Sequence, residues 1–218
     1  MVRRISPSRN LNKRTFWGSL WLPSQETIQV CHALLQNPNF LQLLLQIDIE
    51  LAAQSQAGGC HCGGVLHRAN YPRKPRCCLD KVRADYEWRF SFCCNRCRKR
   101  TTSVSVRFLG RRVYLGLAVV LMSAGRVKAT SAVAELGEIL DVPARTVQRW
   151  RNWWVEQFPL TLLWQAACAR FMPPVALHQL PASLIERFVG TASESLMRLL
   201  IFLSPLTVGH PVTLDEGC

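Results

Sequence analysis

Residues 89–106 read RFSFCCNRCRKRTTSVSV, and this stretch decides the fold of the middle of the chain. Apolar and polar residues alternate over 86–92 and again over 103–108. A two-residue period is typical of strands that bury one face. The two runs therefore predict a β-hairpin whose tip is the segment CCNRCRKR at 93–100.

Cysteines at the hairpin tip and upstream of it predict a zinc ribbon. Cys94 and Cys97 are separated by two residues, which is the usual spacing of a metal-binding knuckle. Upstream, the segment CHCGG places Cys60 and Cys62 with only His61 between them, beside two glycines that permit a tight turn. Two such knuckles can hold one tetrahedral ion, which joins loops too small to fold alone. We expect these four cysteines to bind one Zn²⁺.

Other residues leave alternatives open for the ligand set. Cys94 continues the buried even-numbered face of the first strand, whereas Cys93 points away, so Cys94 is the predicted ligand. Cys77, Cys78 or His67 could still replace a ligand of the first knuckle. The thiols could instead be small buried hydrophobes, or a redox pair in a basic field that lowers thiol pKa values.

Positive charge is concentrated in one part of the chain. The formal net charge is +13, and residues 51–128 alone hold sixteen Lys or Arg against three Asp or Glu. Positive charge confined to one segment indicates a surface that binds an acidic partner. The commonest such partner is a nucleic-acid backbone, and an anionic membrane is the alternative. The residues predicted to contact DNA phosphates are Arg96, Arg98, Lys99, Arg100, Arg107, Arg111 and Arg112.

The segment VAELGEILDVPARTVQRWRNWW at 133–154 predicts a helix-turn-helix. A short turn lies at 141–143, and Val147 and Trp150 continue the apolar core in the second helix. The start of that helix exposes side chains of the kinds that read base edges in the major groove. The predicted base-reading residues are Arg145, Thr146, Gln148, Arg149 and Asn152. The alternative is an ordinary helical hairpin with a solvated polar face.

Taken as a whole, the sequence predicts an α+β fold that is mainly α. A small zinc-ribbon β-hairpin module is followed by a trihelical helix-turn-helix domain, with helical extensions at both ends. Asn37 and Pro38 are residue types favoured at a helix start, and a further helix is expected over 112–124. The predicted segments are a basic tip with a helical hairpin at 1–57, the zinc-ribbon module at 58–110, the helix-turn-helix domain at 111–156, and a C-terminal helical segment at 157–218.

Two features bear on where the protein resides. The longest apolar run, VYLGLAVVLMSA at 113–124, is well short of the roughly 20 residues that a membrane span needs. Basic residues are scattered over the first 25 positions without an apolar region behind them, so no secretory signal is predicted. We therefore expect a cytoplasmic protein whose ten cysteines are mostly thiols or metal ligands.

Three segments in order carry a family resemblance: CHCGG, then RFSFCCNRCRKRTTSVSV, then LGEILDVPARTVQRWRNWW after an intervening helix. Together they resemble the DNA-binding portion of bacterial insertion-sequence transposases, in which a zinc ribbon precedes a helix-turn-helix. The similarity covers roughly residues 58–156. Cys94 and Cys97 fall on the family's second knuckle, and Cys60 and Cys62 fall on its first with one residue missing.

The family's catalytic core has no counterpart pattern in the tail. Those enzymes use three spaced carboxylates to hold two metal ions in a ribonuclease-H-type domain. After residue 156 the acidic residues are Glu186, Glu194, Asp215 and Glu216, without a strand pattern to position them. No catalytic residue is predicted, and the chain looks like a transposon-associated protein or a truncated transposase.

The resulting hypothesis is a zinc-containing, sequence-specific DNA-binding protein of a mobile element. Its expected partner is double-stranded DNA in the bacterial nucleoid, with no membrane partner. A separately encoded transposase subunit and a second copy of the chain remain open as further partners. The competing functions are an active transposase or nuclease subunit, and a transcription-associated adaptor whose ribbon binds RNA polymerase.

Overall fold

The structure is a computed structural model, and it describes most of the chain between residues 33 and 208. The described part is mainly helical with two small antiparallel sheets, so the predicted α+β, mainly α, class is confirmed. The described residues are 33–78, 80–109, 114–124, 137–138 and 140–208.

Helix α1 (Pro38–Ala57) begins where the sequence predicts. Asn37 is the N-cap, and its side-chain oxygen accepts a hydrogen bond from the Phe40 backbone N–H at 3.1 Å. Pro38 stands at the first helical position, where its missing N–H has no partner to lose. One face of the helix is buried by Phe40, Leu41, Leu44, Leu45, Asp48 and Ala52. Of the predicted preceding helix, residues 33–35 are described and are helical.

Five short strands form two sheets in the described part of the chain. The strands are β1 (Leu66–Arg68), β2 (Tyr71–Pro72), β3 (Trp88–Arg89), β4 (Ser91–Cys94) and β5 (Arg100–Thr102). One sheet has three strands in the order β1-β4-β5, all antiparallel, and the other pairs β2 with β3. The β4–β5 pair is the predicted hairpin, and its tip is the cysteine-rich segment.

The first predicted strand is partly wrong, because its start is helical. Tyr86 ends helix α2 (Asp80–Tyr86), and strand pairing begins only at Trp88. Tyr86 and Val82 are four residues apart and bury the same face of the helix. The Tyr86 hydroxyl donates to the Leu41 carbonyl at 2.6 Å, so the ring that looked like one side of a strand anchors α2 to α1 instead.

The second predicted strand is also displaced, because pairing ends at Thr102. Beyond it, the chain turns toward a buried carboxylate on α1. The Asp48 side chain accepts hydrogen bonds from the Ser105 hydroxyl at 2.5 Å and the Val106 backbone N–H at 2.6 Å. These groups satisfy a buried charge, and Ser105 and Val106 therefore bond to α1 and not to a neighbouring strand.

Asp48 also forms a fully buried ion pair with Arg107. The Arg107 Nε lies 2.7 Å from the Asp48 carboxylate, and both side chains are 0% exposed. The rest of the guanidinium donates to the carbonyls of Asp85 and Trp88. Its plane also lies over the Tyr86 ring, 5.1 Å from the centroid. This pair connects α1, the end of α2 and the segment after β5.

The C-terminal half is helical and aromatic. Helix α3 (Gly116–Ala124) is buried along its whole length, and the predicted residues 112–113 of this helix lie outside the described part. Thr191 and Glu194 form a reciprocal capping box at the start of the last helix. The remaining helices are α4 (Ala144–Asn152) with a π-helical turn (Trp153–Gln157), α5 (Leu162–Ala167), α6 (Ala182–Ile185) and α7 (Ala192–Leu203), joined by 3₁₀ turns at Phe158–Leu160, Cys168–Arg170, Leu177–Gln179 and Ser204–Thr207.

One large core joins all four predicted segments. It contains Leu41 and Leu44 of α1, Phe108 after the hairpin, Trp150 of α4 and Leu199 of α7. A smaller cluster of Ala52, Leu66, Phe92 and Cys94 lies behind the cysteine-rich tip. Among the helices of the described ranges, none combines the length and the apolar character that a bilayer crossing requires.

Candidate metal centre

The first knuckle is a tight turn that follows α1. The Gly63 N–H donates to the Cys60 carbonyl at 2.7 Å, and the Cys60 N–H donates to the Gly64 carbonyl at 3.2 Å. Gly63 has φ +74, a backbone conformation that residues with a Cβ rarely adopt. The turn brings Cys60 and Cys62 to the same side although only one residue separates them.

The second knuckle is the tip of the β4–β5 hairpin. The Arg98 N–H donates to the Cys94 carbonyl at 3.2 Å, and the Cys94 N–H donates to the Lys99 carbonyl at 3.0 Å. Arg98 adopts φ +58, which reverses the chain directly after Cys97. The hairpin therefore presents Cys94 and Cys97 from one turn.

Hydrogen bonds hold the two knuckles against each other. The Val65 N–H donates to the Asn95 side-chain oxygen at 2.9 Å, and the Asn95 N–H donates to the Val65 carbonyl at 3.0 Å. Arg96 donates from its guanidinium to the Cys62 carbonyl at 3.1 Å. A Cβ on Gly64 would lie 2.5 Å from the Cys94 sulfur, so the approach requires a glycine at this position.

The four sulfurs form one compact group. Cys60 Sγ lies 3.5 Å from both Cys97 Sγ and Cys62 Sγ, and Cys62 Sγ lies 3.4 Å from Cys94 Sγ. All four ligand atoms lie within 4.8 Å of one another. Four sulfurs around a tetrahedral ion with metal–sulfur bonds of about 2.3 Å would be separated by about 3.8 Å. The group therefore has the size of a four-thiolate metal site.

The backbone prepares one of the four thiols for ionisation. N–H groups of Cys97 and Arg96 point at the Cys94 sulfur and lower the pKa of its thiol to about 6, against the effect of burial. A cysteine binds a metal ion as the deprotonated thiolate. Four thiolates at this separation would repel one another strongly, so a cation is the natural counter-charge for the group.

The alternative ligands lie elsewhere. Cys93 is on the opposite face from Cys94, and its S–H donates to the Cys94 and Arg98 carbonyls. His67 pairs with Cys93 across β1 and β4 and is exposed. Cys77 and Cys78 line a separate cavity. None of these four belongs to the four-sulfur group of the described residues.

The predicted base-reading residues lie on α4. Four of them, Arg145, Gln148, Arg149 and Asn152, are exposed. The prediction that Thr146 is exposed and contacts DNA bases is wrong, because the residue is only 3% exposed. Its hydroxyl oxygen accepts a hydrogen bond from the Arg149 guanidinium at 3.1 Å, so it orients a neighbour instead.

The predicted phosphate-contacting residues divide into three groups. Arg96, Arg98, Lys99 and Arg100 are exposed at the hairpin tip, where Arg100 also donates to the Ala69 carbonyl. The prediction that Arg107 contacts DNA phosphates is wrong, because its side chain is buried in the ion pair with Asp48. The predicted contacts Arg111 and Arg112 lie outside the described residues.

Asp48 is a structural residue that sequence reasoning missed, although the sequence carries a signal for it. It continues the apolar face of α1 from Leu41, Leu44 and Leu45 toward Ala52. A carboxylate on such a face is almost never buried without a paired charge. That rule would have predicted a buried Lys or Arg partner.

Comparison with known proteins adds no family assignment. No protein-family model, curated protein or solved structure matches the chain. The geometry of the four-cysteine group and the exposed faces of the hairpin and α4 therefore carry the functional interpretation.

Proposed function

We propose that the protein is a zinc-containing, sequence-specific binder of double-stranded DNA that belongs to a mobile element and performs no chemistry of its own. The observation that carries the proposal is the two-sided character of α4. Val147 and Trp150 are buried on one face, while Arg145, Gln148 and Arg149 are exposed on the other. Arg binds guanine edges and Gln binds adenine edges in the major groove.

The turn before α4 supports its interpretation as the second helix of a helix-turn-helix. Asp141 has φ +51, the Val142 N–H donates to the Gly137 carbonyl at 2.8 Å, and Val142 is buried. A Cβ on Gly137 would lie 3.2 Å from the Val142 carbonyl oxygen, which explains a small residue at this close approach. Most of the helix predicted before this turn lies outside the described residues.

The exposed face of α4 also has internal order. The Gln148 side-chain amide donates to the Asn152 side-chain oxygen at 2.8 Å, and Arg149 is held by Thr146. Side chains that are already oriented lose less rotamer entropy on binding. The pair Gln148 and Asn152 retains one acceptor and donors that match the exposed edge of adenine.

Zinc is the ion we assign to the four-cysteine group. A closed set of four sulfur donors without a fifth protein ligand is the donor set of a structural zinc site. The ion would fix the two knuckles and thereby the hairpin tip, which presents Arg98 and Lys99 to solvent. The hairpin would then contact phosphates and position α4, which reads the bases.

The assignment to a mobile element rests on the order of the motifs, since a zinc ribbon followed by a helix-turn-helix resembles the DNA-binding region of insertion-sequence transposases. We assign no catalytic role because the one group of three or more candidate metal ligands within the described ranges consists of four cysteines, which is the donor set of a structural zinc site.

Salt dependence of DNA binding tests the proposal. We expect the affinity of the metal-loaded protein for duplex DNA to fall steeply with salt, with a log–log slope of about −0.9 for each phosphate neutralised. The triple variant Arg98→Ala, Lys99→Ala and Arg100→Ala should flatten this slope by two to three such contacts, on selected and random DNA alike. Fluorescence anisotropy over a range of salt concentrations measures both slopes. An absence of duplex binding at low salt would contradict the proposed function.

A matched control separates charge from fold. Arg83→Ala removes a basic residue whose guanidinium is already paired with Asp80 at 2.8 Å. This variant should leave the salt slope of the parent protein unchanged. If the slope flattens as much for the one charge removed in Arg83→Ala as it does for each charge removed in the triple variant, net charge alone and not contact at the hairpin tip would explain the effect.

A further inference from the structure

A cavity of about 380 Å³ lies where three parts of the chain meet, apart from the four-cysteine group. Its walls come from the residues before α1, the segment that joins β2 to α2 together with the first turn of α2, and the turn before α4. Two adjacent cysteines, Cys77 and Cys78, both line it. The other lining residues are Leu35, Gln36, Pro75, Arg76, Asp80, Arg83, Leu140 and Asp141.

Cys77, one of the two adjacent cysteines that line the cavity, has an unusual backbone conformation. Successive side chains of an extended chain point to opposite sides. Cys77 instead has φ +62, which costs energy for any residue with a Cβ. The Cys77 S–H donates to the Leu140 carbonyl at 3.6 Å. The Cys77 thiol therefore lies against the turn that leads into α4, and Cys78 is next to it in the same cavity wall.

Burial keeps both thiols neutral. It raises the pKa of Cys77 to about 12 and the pKa of Cys78 to about 11, despite nearby arginines. Thiolates are the species that react in disulfide exchange, so this pair is poorly suited to a fast redox switch. A ligand that condenses with two neutral thiols and leaves a neutral product fits the site better, because a buried charge is costly.

The number of protein ligand atoms at the site further restricts the kind of ligand that it can bind. Within the described ranges, no third Cys, His, Asp or Glu ligand atom lies close enough to Cys77 and Cys78 to form a ligand group. Among the described residues, the cavity therefore offers two sulfur ligands and no third ligand atom beside them. Trivalent arsenic that carries one organic group needs only two sulfurs, and as a soft centre it prefers sulfur to oxygen or nitrogen.

We propose that Cys77 and Cys78 form a binding site for monosubstituted trivalent arsenicals. Each thiol replaces one oxygen on arsenic: two S–H bonds and two As–OH bonds break, two As–S bonds form, and two molecules of water leave. Arsenic stays trivalent, so no oxidant or reductant is needed. The bound product, R–As(S-Cys)₂, is uncharged, and its organic group occupies the cavity.

The position of the site implies a consequence that rests on the proposed DNA binding. Leu140 and Asp141 of the cavity wall lie at the turn before α4. In addition, Arg76 donates to the Tyr114 hydroxyl, and the Tyr114 ring contacts Trp150 of α4 with centroids 5.0 Å apart. An arsenical that fills the cavity should shift the turn and change the affinity for duplex DNA.

The test uses the metal-loaded full chain and phenylarsine oxide as the probe. One equivalent is added in the presence of excess 2-mercaptoethanol, which removes adducts to single thiols, and intact-mass spectrometry counts the retained phenylarsenic groups. We expect one group per chain. Cys77→Ser and Cys78→Ser should each weaken retention by roughly 100-fold or more, since the second As–S bond is intramolecular.

Matched variants and the bound metal keep the result interpretable. Cys93→Ser and Cys168→Ser remove thiols outside the cavity and should retain the arsenical fully. Metal content measured on every sample shows whether the fold and the four-cysteine group are intact. Retention unchanged in Cys77→Ser or Cys78→Ser, or retention only with loss of the metal, would overturn the site. DNA affinity that is the same with and without the arsenical would overturn the coupling alone, while failure of the untreated protein to bind DNA would count against the proposed function and leave the site standing.

Discussion

Replacing Cys97 with Ser should abolish metal binding and unfold the β4–β5 hairpin. In the described part of the chain, the small cluster behind the knuckles has Ala52, Leu66, Phe92 and Cys94 as its buried residues, which is too little apolar surface to hold the two cysteine turns. Structural zinc supplies about 10–16 kcal/mol of apparent binding free energy in such small modules. Elemental analysis should find one zinc per chain in the parent protein and none in the variant, and hydrogen exchange should show loss of protection in β4 and β5.

Gly64→Ala tests the same site while keeping all four thiols. The added Cβ would lie 2.5 Å from the Cys94 sulfur and 2.9 Å from the Asn95 side-chain oxygen, so one knuckle must move. We expect a large loss of metal affinity, measured by competition with a chelator. Gly58→Ala is the matched control, because its Cβ would meet its nearest neighbour at an ordinary 3.6 Å.

Cys93→Ser provides the thiol control. Cys93 is adjacent in sequence to a predicted ligand but contacts backbone carbonyls and not the other sulfurs. Its metal content should match the parent. A full complement of metal in Cys97→Ser, or in the double variant Cys60→Ser and Cys62→Ser, would show that the four-cysteine group is not the site.

Asp48→Ala should destabilise the whole described core, by about 3–5 kcal/mol, because it leaves the Arg107 charge buried and unpaired. The same change deprives the Ser105 hydroxyl and the Val106 N–H of their acceptor. Arg107→Met should lower the free energy of unfolding by a comparable amount. It leaves the Asp48 carboxylate and the carbonyls of Asp85 and Trp88 without the hydrogen bonds that Arg107 donates. Urea unfolding followed by tryptophan fluorescence measures the free energy of unfolding.

The exposed ion pair between Arg83 and Asp80 is the control for this effect. Its Asp80 side chain is 92% exposed, and exposed pairs contribute about 0–1 kcal/mol. Asp80→Asn should therefore change the free energy of unfolding little. If Asp48→Ala were as mild as Asp80→Asn, the buried pair would not be the connection between α1 and the segment after β5 that the contacts indicate.

Local signals in the sequence predicted the parts of the fold that depend on local chemistry. Asn37 and Pro38 begin α1 because capping involves residues only three positions apart. Spacing and neighbouring glycines predict the two knuckles, and side-chain parity favours Cys94 over Cys93. The structure brings the four predicted ligands together, namely Cys60, Cys62, Cys94 and Cys97. A ligand group of this kind is predictable because its chemistry restricts the residue types.

Long-range contacts decided the parts that were predicted incorrectly. The alternating pattern at Tyr86 looked like a strand, but its hydroxyl bonds to Leu41, 45 positions away. Arg107 looked like an exposed cation because nothing nearby in sequence pairs with it, whereas its partner Asp48 is 59 positions away. Thr146 has a residue type that often contacts DNA, but it is buried. The periodicity of apolar residues shows that a helix or strand has two different faces. Only tertiary packing determines which of the two faces is buried.

The central claim is that α4 reads DNA sequence while the hairpin tip contributes charge. It is tested by the ratio of affinities for a duplex selected from a random pool and for random duplex, at one fixed salt concentration. Arg149→Ala should lower this ratio by losing about 1–3 kcal/mol on the selected site. The triple variant at Arg98, Lys99 and Arg100 should weaken both duplexes equally and leave the ratio unchanged. A ratio that Arg149→Ala leaves intact and the triple variant collapses would contradict the account.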